Sequence, residues 1–268
     1  MRAGPGPAAA GSGSGNPRLL YPRSPGDGRP RIRRLESNRA ETLIHARGLG
    51  IRFGTQWALA HVDLDLEAGE RLLLAGANGS GKTTLLRLVA GLRKPTAGEL
   101  LVDGRNPSEE RFGARSTLSL VSHHDYLYDR LTAIETLRLW SSLCGERGGS
   151  GGLTDLLAEL GLQDAAGRQV GGFSAGMRKR LVLARSRLEN PRLLLLDEPF
   201  ASLDPQGQTL IEGWIERFTD GGGTLIVASH AVERASRLCN RAILLEQGQV
   251  AWHGAAGGLE AAWARRLR

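Results

Sequence analysis

The chain has 268 residues, 41% of them apolar and 24% charged, enough for one substantial globular domain with a real core. Its sequence holds no apolar run long enough to cross a bilayer, and its first residues lack the apolar segment of a secretion signal. The net charge of +7 is uneven: residues 1–40 carry eight arginines against Asp27 and Glu36, so the remaining residues carry only +1, and the folded part offers no nucleic-acid surface. Cys144 and Cys239 stand far apart without metal-ligand spacing, the pattern of two reduced thiols in a cytosolic protein.

Residues 1–41 are rich in Gly, Pro, Ser and Arg without apolar periodicity, which predicts a disordered basic tail. From Thr42 the pattern changes. Val62 to Glu67 alternates apolar and polar residues, the period of a half-buried strand, and Arg71 to Ala75 is a short apolar run that predicts a buried one. Leu100 to Val102 runs into Asp103-Gly104, a hairpin signal, and a further strand is expected at Leu118 to Val121. The middle is helical. Leu153, Leu156, Leu157 and Leu160 share one helical face before Gly161, and a Gly-rich linker, residues 145–152, precedes them. A second helix is predicted from Ala175 to Glu189, ending before Asn190-Pro191. Strands at Leu193–Leu196, Thr224–Ala228 and Ala242–Leu245 then alternate with helical stretches, the order of a parallel α/β sheet.

Gly76-Ala77-Asn78-Gly79-Ser80-Gly81-Lys82-Thr83 fits the G-x-x-x-x-G-K-[S/T] pattern of a phosphate-binding loop in full, between a buried strand and an apolar helix beginning near Thr84. Glycines let the backbone close round a phosphate and aim its N–H groups inward, and the helix adds its positive end. Lys82 is placed to reach the β- and γ-phosphates of ATP, and Thr83 to offer a hydroxyl to Mg²⁺. Leu193-Leu194-Leu195-Leu196-Asp197-Glu198 delivers two acids to the C-terminal edge of a buried parallel strand, where such sheets bind ligands. Asp197 is expected to hold Mg²⁺ and Glu198 to polarise the attacking water.

These residues closely resemble the nucleotide-binding domain of ATP-binding-cassette (ABC) transporters over roughly residues 42–255. Phe173-Ser174-Ala175-Gly176-Met177 resembles the family's signature segment, with Arg180 three positions beyond it. Ser202-Leu203-Asp204 resembles the D-loop, His230 the switch histidine, and Phe53 the aromatic that stacks on adenine. The resemblance implies a P-loop NTPase (RecA-like) α/β core with an antiparallel β subdomain, an inserted helical subdomain at about 125–172, and a short C-terminal helix or tail at 256–268. It implies that Ser174, Ala175, Gly176 and Met177 of one subunit cap the γ-phosphate held by the loop of another, with Asp204 at the seam. Two departures stand out. His123, with His124 beside it, occupies the place where the family carries a Gln near Mg²⁺, and the signature has Ala175 for Gly and Met177 for Gln.

The resemblance further implies an ATPase peripheral to the cytoplasmic face of the inner membrane, a homodimer joined to transmembrane permease subunits, with no nucleic-acid partner. The stretches from His123 to Leu137 and from Phe173 to Arg180 are similar to haem-exporter ATPases of bacterial cytochrome c maturation, which implies export. A non-transport ABC ATPase, of DNA repair or of the ribosome, is the alternative. Such proteins carry coiled-coil insertions, zinc cysteines or tandem cassettes; this sequence has no heptad run, two cysteines and one phosphate loop.

Overall fold

The computed structural model describes Met1 and residues 41–109, 117–122, 126–145 and 152–266. The expected basic tail, His123 and His124, and most of the Gly-rich linker fall outside the described residues. Contacts divide the chain after Asn38, and the architecture below is that of the unit beginning at Arg39.

Three antiparallel strands come from the first part of the chain: β1 (Thr42–Phe53), β2 (Gln56–Glu67) and β4 (Ala97–Val102), in the order β2-β1-β4. Asp103 and Gly104 both take positive φ, as a tight hairpin turn requires. The turn closes only onto Arg105, through its reciprocal hydrogen bonds with Val102, an isolated bridge rather than a second hairpin strand.

The second sheet has six strands in the order β5-β6-β7-β3-β8-β9: β3 (Arg71–Ala75), β5 (Leu118–Val121), β6 (Leu193–Asp197), β7 (Thr224–Ser229), β8 (Arg241–Glu246) and β9 (Gln249–Ala255). Five run parallel and β9 closes the edge antiparallel to β8. Period-two alternation sorts their side chains between two cores. Leu72, Leu74, Leu193, Leu195 and Ile226 join the antiparallel sheet and helix α1 (Lys82–Val89). Leu73, Leu194, Leu196, Leu225 and Val227 face the remaining helices. Both faces are covered, which is why these strands read as unbroken apolar runs.

The helical part contains α2 (Ala133–Cys144) and α3 (Leu153–Glu159), followed by two short 3-10 turns. Thr132 and Glu135 form a complete capping box at the start of α2, a T-x-x-E pattern that was readable in the sequence. Gly161, at φ +63°, ends α3 with the Leu162 amide bonded back to the Leu157 carbonyl. Helix α4 (Ala175–Leu188) returns the chain to β6; α5 (Pro205–Asp220), α6 (Val232–Leu238) and α7 (Leu259–Arg266) complete the fold. None of the described helices is long and apolar enough to cross a membrane.

Candidate functional site

The phosphate loop joins the end of β3 to the start of α1. Gly76, Gly79 and Gly81 all take positive φ, and two of these positions leave no room for a side chain. A Cβ at Gly76 would meet the Leu245 carbonyl and Ser80 Oγ; one at Gly81 would meet Leu59 and the Ala58 carbonyl. Strand β2 and the β8–β9 turn therefore press on the loop, and the Ser80 carbonyl accepts the Gly248 amide at 3.1 Å. Ser80 Oγ is buried without a hydrogen-bond partner among the described residues. The cradle, the orphan hydroxyl and the N-terminus of α1 together fit a phosphate group.

Lys82 is buried, and its Nζ donates to the loop's own carbonyls at Gly76 (2.7 Å) and Ala77 (3.1 Å). Burial pulls its pKa below the ordinary lysine value, while Glu198 and Asp197 oppose that shift. The Thr83 hydroxyl donates to Asp197 Oδ2 at 2.8 Å. Asp197 is itself buried, and burial is the main cause raising its pKa above the carboxylate norm. A buried carboxylate beside a hydroxyl at the foot of a phosphate loop suits a hydrated divalent cation. No cluster of three or more His, Cys, Asp or Glu suited to a metal occurs among the described residues, so such a cation would draw on Thr83, Asp197, water and phosphate.

Glu198 follows directly on β6 with φ +51°. Its carboxylate gathers the end of β7: Ser229 Oγ donates to Oε2 at 3.1 Å, the His230 amide donates to Oε1 at 3.0 Å, and His230 Nδ1 lies 2.9 Å from the same oxygen. The parallel pairing of β6 with β7 sets Asp197 opposite Ala228 and so brings Glu198 and His230 together. Lys82, Thr83, Asp197, Glu198 and His230 thus form one group at the C-terminal edge of the sheet. Asn78 is exposed and Thr84 half-buried on the same loop and helix.

The other expected residues lie elsewhere. Phe53 sits at the tip of the β1–β2 hairpin, 49% exposed, with the Arg93 guanidinium 5.8 Å from its ring centre. Ser174 caps α4, its Oγ accepting the Met177 amide at 3.2 Å. Ala175 is exposed and Met177 packs against the helical core. Gly176 faces its own D-loop, where a Cβ would stand 3.1 Å from Leu203 Cδ2. Asp204 caps α5 by accepting the Gly207 amide at 3.0 Å. Arg180 donates to the Leu160 carbonyl at 2.9 Å, at the end of α3. Cys239 is buried with its thiol pushed up to about 12, and burial also raises Cys144, which favours the neutral thiol at both.

Sequence reasoning missed Ser229 and Lys179. Ser229 follows an apolar strand directly before His230, so its place could have been read. Lys179 is one more cation in Arg178-Lys179-Arg180, and nothing local marks it. A cleft of about 760 Å³ also lies between the sheet edge and α2, lined by Arg87, Leu92, Leu120, Tyr126, Trp140 and Glu189 among others.

The family model described as ABC transporter matches residues 59–201. The chain is 34% identical over 206 residues to the ABC transporter ATP-binding protein NatA of Bacillus subtilis, covering 74% of this chain and 82% of that protein. It is 38% identical over 210 residues to the cytochrome c biogenesis ATP-binding export protein CcmA of Xanthomonas campestris, covering 77% and 95%. Among solved structures, it is similar to a dimeric ATP-binding cassette in a post-hydrolysis state bound to ADP and Pi. There the TM-score is 0.70, with 25% identity over 80% of this chain and 98% of that one.

Proposed function

The chain belongs to the ABC transporter family as an ATP-binding, ATP-hydrolysing subunit, and from that premise we propose that it powers an exporter from the membrane surface. The observation that carries the site assignment is the grouping of Lys82, Thr83, Asp197, Glu198 and His230 at one sheet edge. In this reading Lys82 meets the β- and γ-phosphates, released from the loop carbonyls it now contacts. The Gly76 to Thr84 stretch wraps the phosphate chain, and Phe53 offers a ring face to adenine. Thr83 and Asp197 hold Mg²⁺, which when bound neutralises phosphate charge. Glu198 polarises the attacking water, and His230 orients Glu198 and contacts the γ-phosphate.

Export is supported by the likeness to the Xanthomonas cytochrome c biogenesis export protein, and haem as the cargo class by the resemblance of the His123–Leu137 stretch to haem-exporter ATPases. The cleft beside α2 offers aromatic and basic side chains to a permease segment. Two copies bound face to face complete each site, with Ser174, Ala175, Gly176 and Met177 of one subunit over the nucleotide of the other. Reconstitution with the membrane subunits in proteoliposomes tests the function. ATP-dependent haem movement out of the ATP-containing compartment is expected, and it should vanish with Glu198→Gln. Failure to co-purify any membrane subunit from solubilised membranes would overturn the transport reading.

A further inference from the structure

We infer that Lys179 is a positioning residue for hydrolysis, holding the backbone from Glu198 to Ser202 in the conformation that presents the Glu198 carboxylate. The inference rests on the proposed site, since it takes Glu198 as the group that polarises water.

Two non-glycine residues bracket this segment in the left-handed region, Glu198 at φ +51° and Ser202 at φ +63°. Such residues persist only where their surroundings over-determine them. Lys179 Nζ donates to the Glu198 carbonyl at 2.6 Å and to the Ala201 carbonyl at 3.0 Å. The first carbonyl belongs to the peptide leaving Glu198 and the second to the peptide entering Ser202. One ammonium therefore grips the segment at both strained ends. The Ala201 amide also bonds to the Glu198 carbonyl at 3.2 Å, so the grip closes a turn.

Pro199 and Phe200 are buried in the middle of the segment, while its two ends meet the Lys179 ammonium. Ala201 and Ser202 line a small cleft of about 120 Å³ together with Lys179, Ala175 and Val182. Burial lowers the Lys179 pKa, while Glu198 and Asp197 favour its charged form. A half-buried ammonium is costly unless its hydrogen bonds are used, and bonds from a charged donor are stronger than neutral ones. The same helix carries Ser174 and Gly176, and Gly176 lies against Leu203 and Ser202. The first turns of α4 thus hold the candidate base and present the signature segment at once.

The test is steady-state hydrolysis and equilibrium ATP binding by the full chain carrying Lys179→Met, Lys179→Gln or Lys179→Arg, with Glu198→Gln alongside. In Lys179→Met, kcat should fall about 10- to 100-fold while ATP affinity stays within about threefold, the split expected for a lost charge-assisted contact felt in the transition state. Lys179→Arg, which keeps a cation with several donors, should recover most of the rate. Unchanged kcat in Lys179→Met overturns the inference. So does a parallel loss of kcat, affinity and melting temperature in all three variants, the mark of a merely structural prop. If Lys179→Met does not fold, Lys179→Gln is read by the same criteria. A Glu198→Gln protein that hydrolyses ATP normally would instead sink the site assignment. An inactive Glu198→Gln beside a fully active Lys179→Met would sink this inference alone.

Discussion

His230 and Glu198 meet twice: the imidazole Nδ1 lies 2.9 Å from Glu198 Oε1, and the His230 amide donates to that same oxygen at 3.0 Å. The backbone bond does not depend on the imidazole, so in His230→Ala the carboxylate keeps that bond and the one from Ser229 Oγ. That variant should lose about 10- to 100-fold in kcat, against about 10²- to 10⁴-fold in Glu198→Gln, which removes the base itself. Both should bind ATP normally. Lys82→Ala should lose ATP binding. Equilibrium binding beside single-turnover hydrolysis checks all three, and equal loss of binding in each would contradict the division of roles.

ATP should drive self-association, because the γ-phosphate is the piece that bridges loop and signature segment. A ligand shifts such an equilibrium only through its difference in affinity for the open and closed states. Sedimentation of Glu198→Gln should show dimer with Mg-ATP and monomer with Mg-ADP. Ser174→Arg should abolish the dimer, and Ser174→Thr, which keeps the helix cap, should retain it. A monomer under all conditions would defeat the symmetric two-site arrangement.

Asp204 caps α5 within its own chain through the Gly207 amide. Asp204→Ala should therefore cost about 1 kcal/mol of stability, a fall of about 2–4 °C in melting temperature. Asp204→Ser should keep the cap and the stability. If Asp204→Ser still loses ATP-dependent dimerisation, the carboxylate has a separate role at the seam; normal dimerisation would confine it to capping.

Asp197 has its carboxyl pKa raised by burial. A raised folded pKa means the native state holds its proton more tightly than the unfolded chain. The stabilisation is complete below the unfolded value and is lost as pH rises through the folded one. Asp197→Asn should therefore raise the melting temperature at neutral pH, keep its bond from Thr83, and match the wild type at strongly acidic pH. Thermal melts across that range without nucleotide provide the check. Mg-ATP hydrolysis should be lost in the same variant. A lower melting temperature at neutral pH would show that the Thr83 pair outweighs desolvation.

Tyr126 and Tyr128 are 73% and 61% exposed, while Leu127 between them packs against the helical core. Truncating the two tyrosines should leave folding and basal hydrolysis intact. If the cleft beside them receives the permease, Tyr126→Ala with Tyr128→Ala should release the membrane subunit on co-purification. A retained complex would remove the docking assignment.

The sequence by itself determined what is contiguous. Gly76 to Thr83 is one loop and the first residues of the helix it enters, so its spacing states its geometry. Leu193 to Asp197 is one strand and Glu198 follows it directly, so its end delivers both acids together. The caps at Ser174 and Asp204 are equally local contacts, each satisfied within three residues. Tertiary structure alone decided which of these meet. Thr83 and Asp197 are 114 positions apart, and their contact depends on the order β5-β6-β7-β3-β8-β9. No local pattern encodes that order, because buried parallel strands all read as similar apolar runs. Lys179 shows the limit most clearly. Beside Arg178 and Arg180 it has the sequence of a solvated basic patch, yet Arg178 pairs with Asp129, Arg180 holds the end of α3, and Lys179 turns inward onto the Glu198 and Ala201 carbonyls. Three adjacent cations on a helix point about 100° apart, so what each one touches is set by what packs on that side.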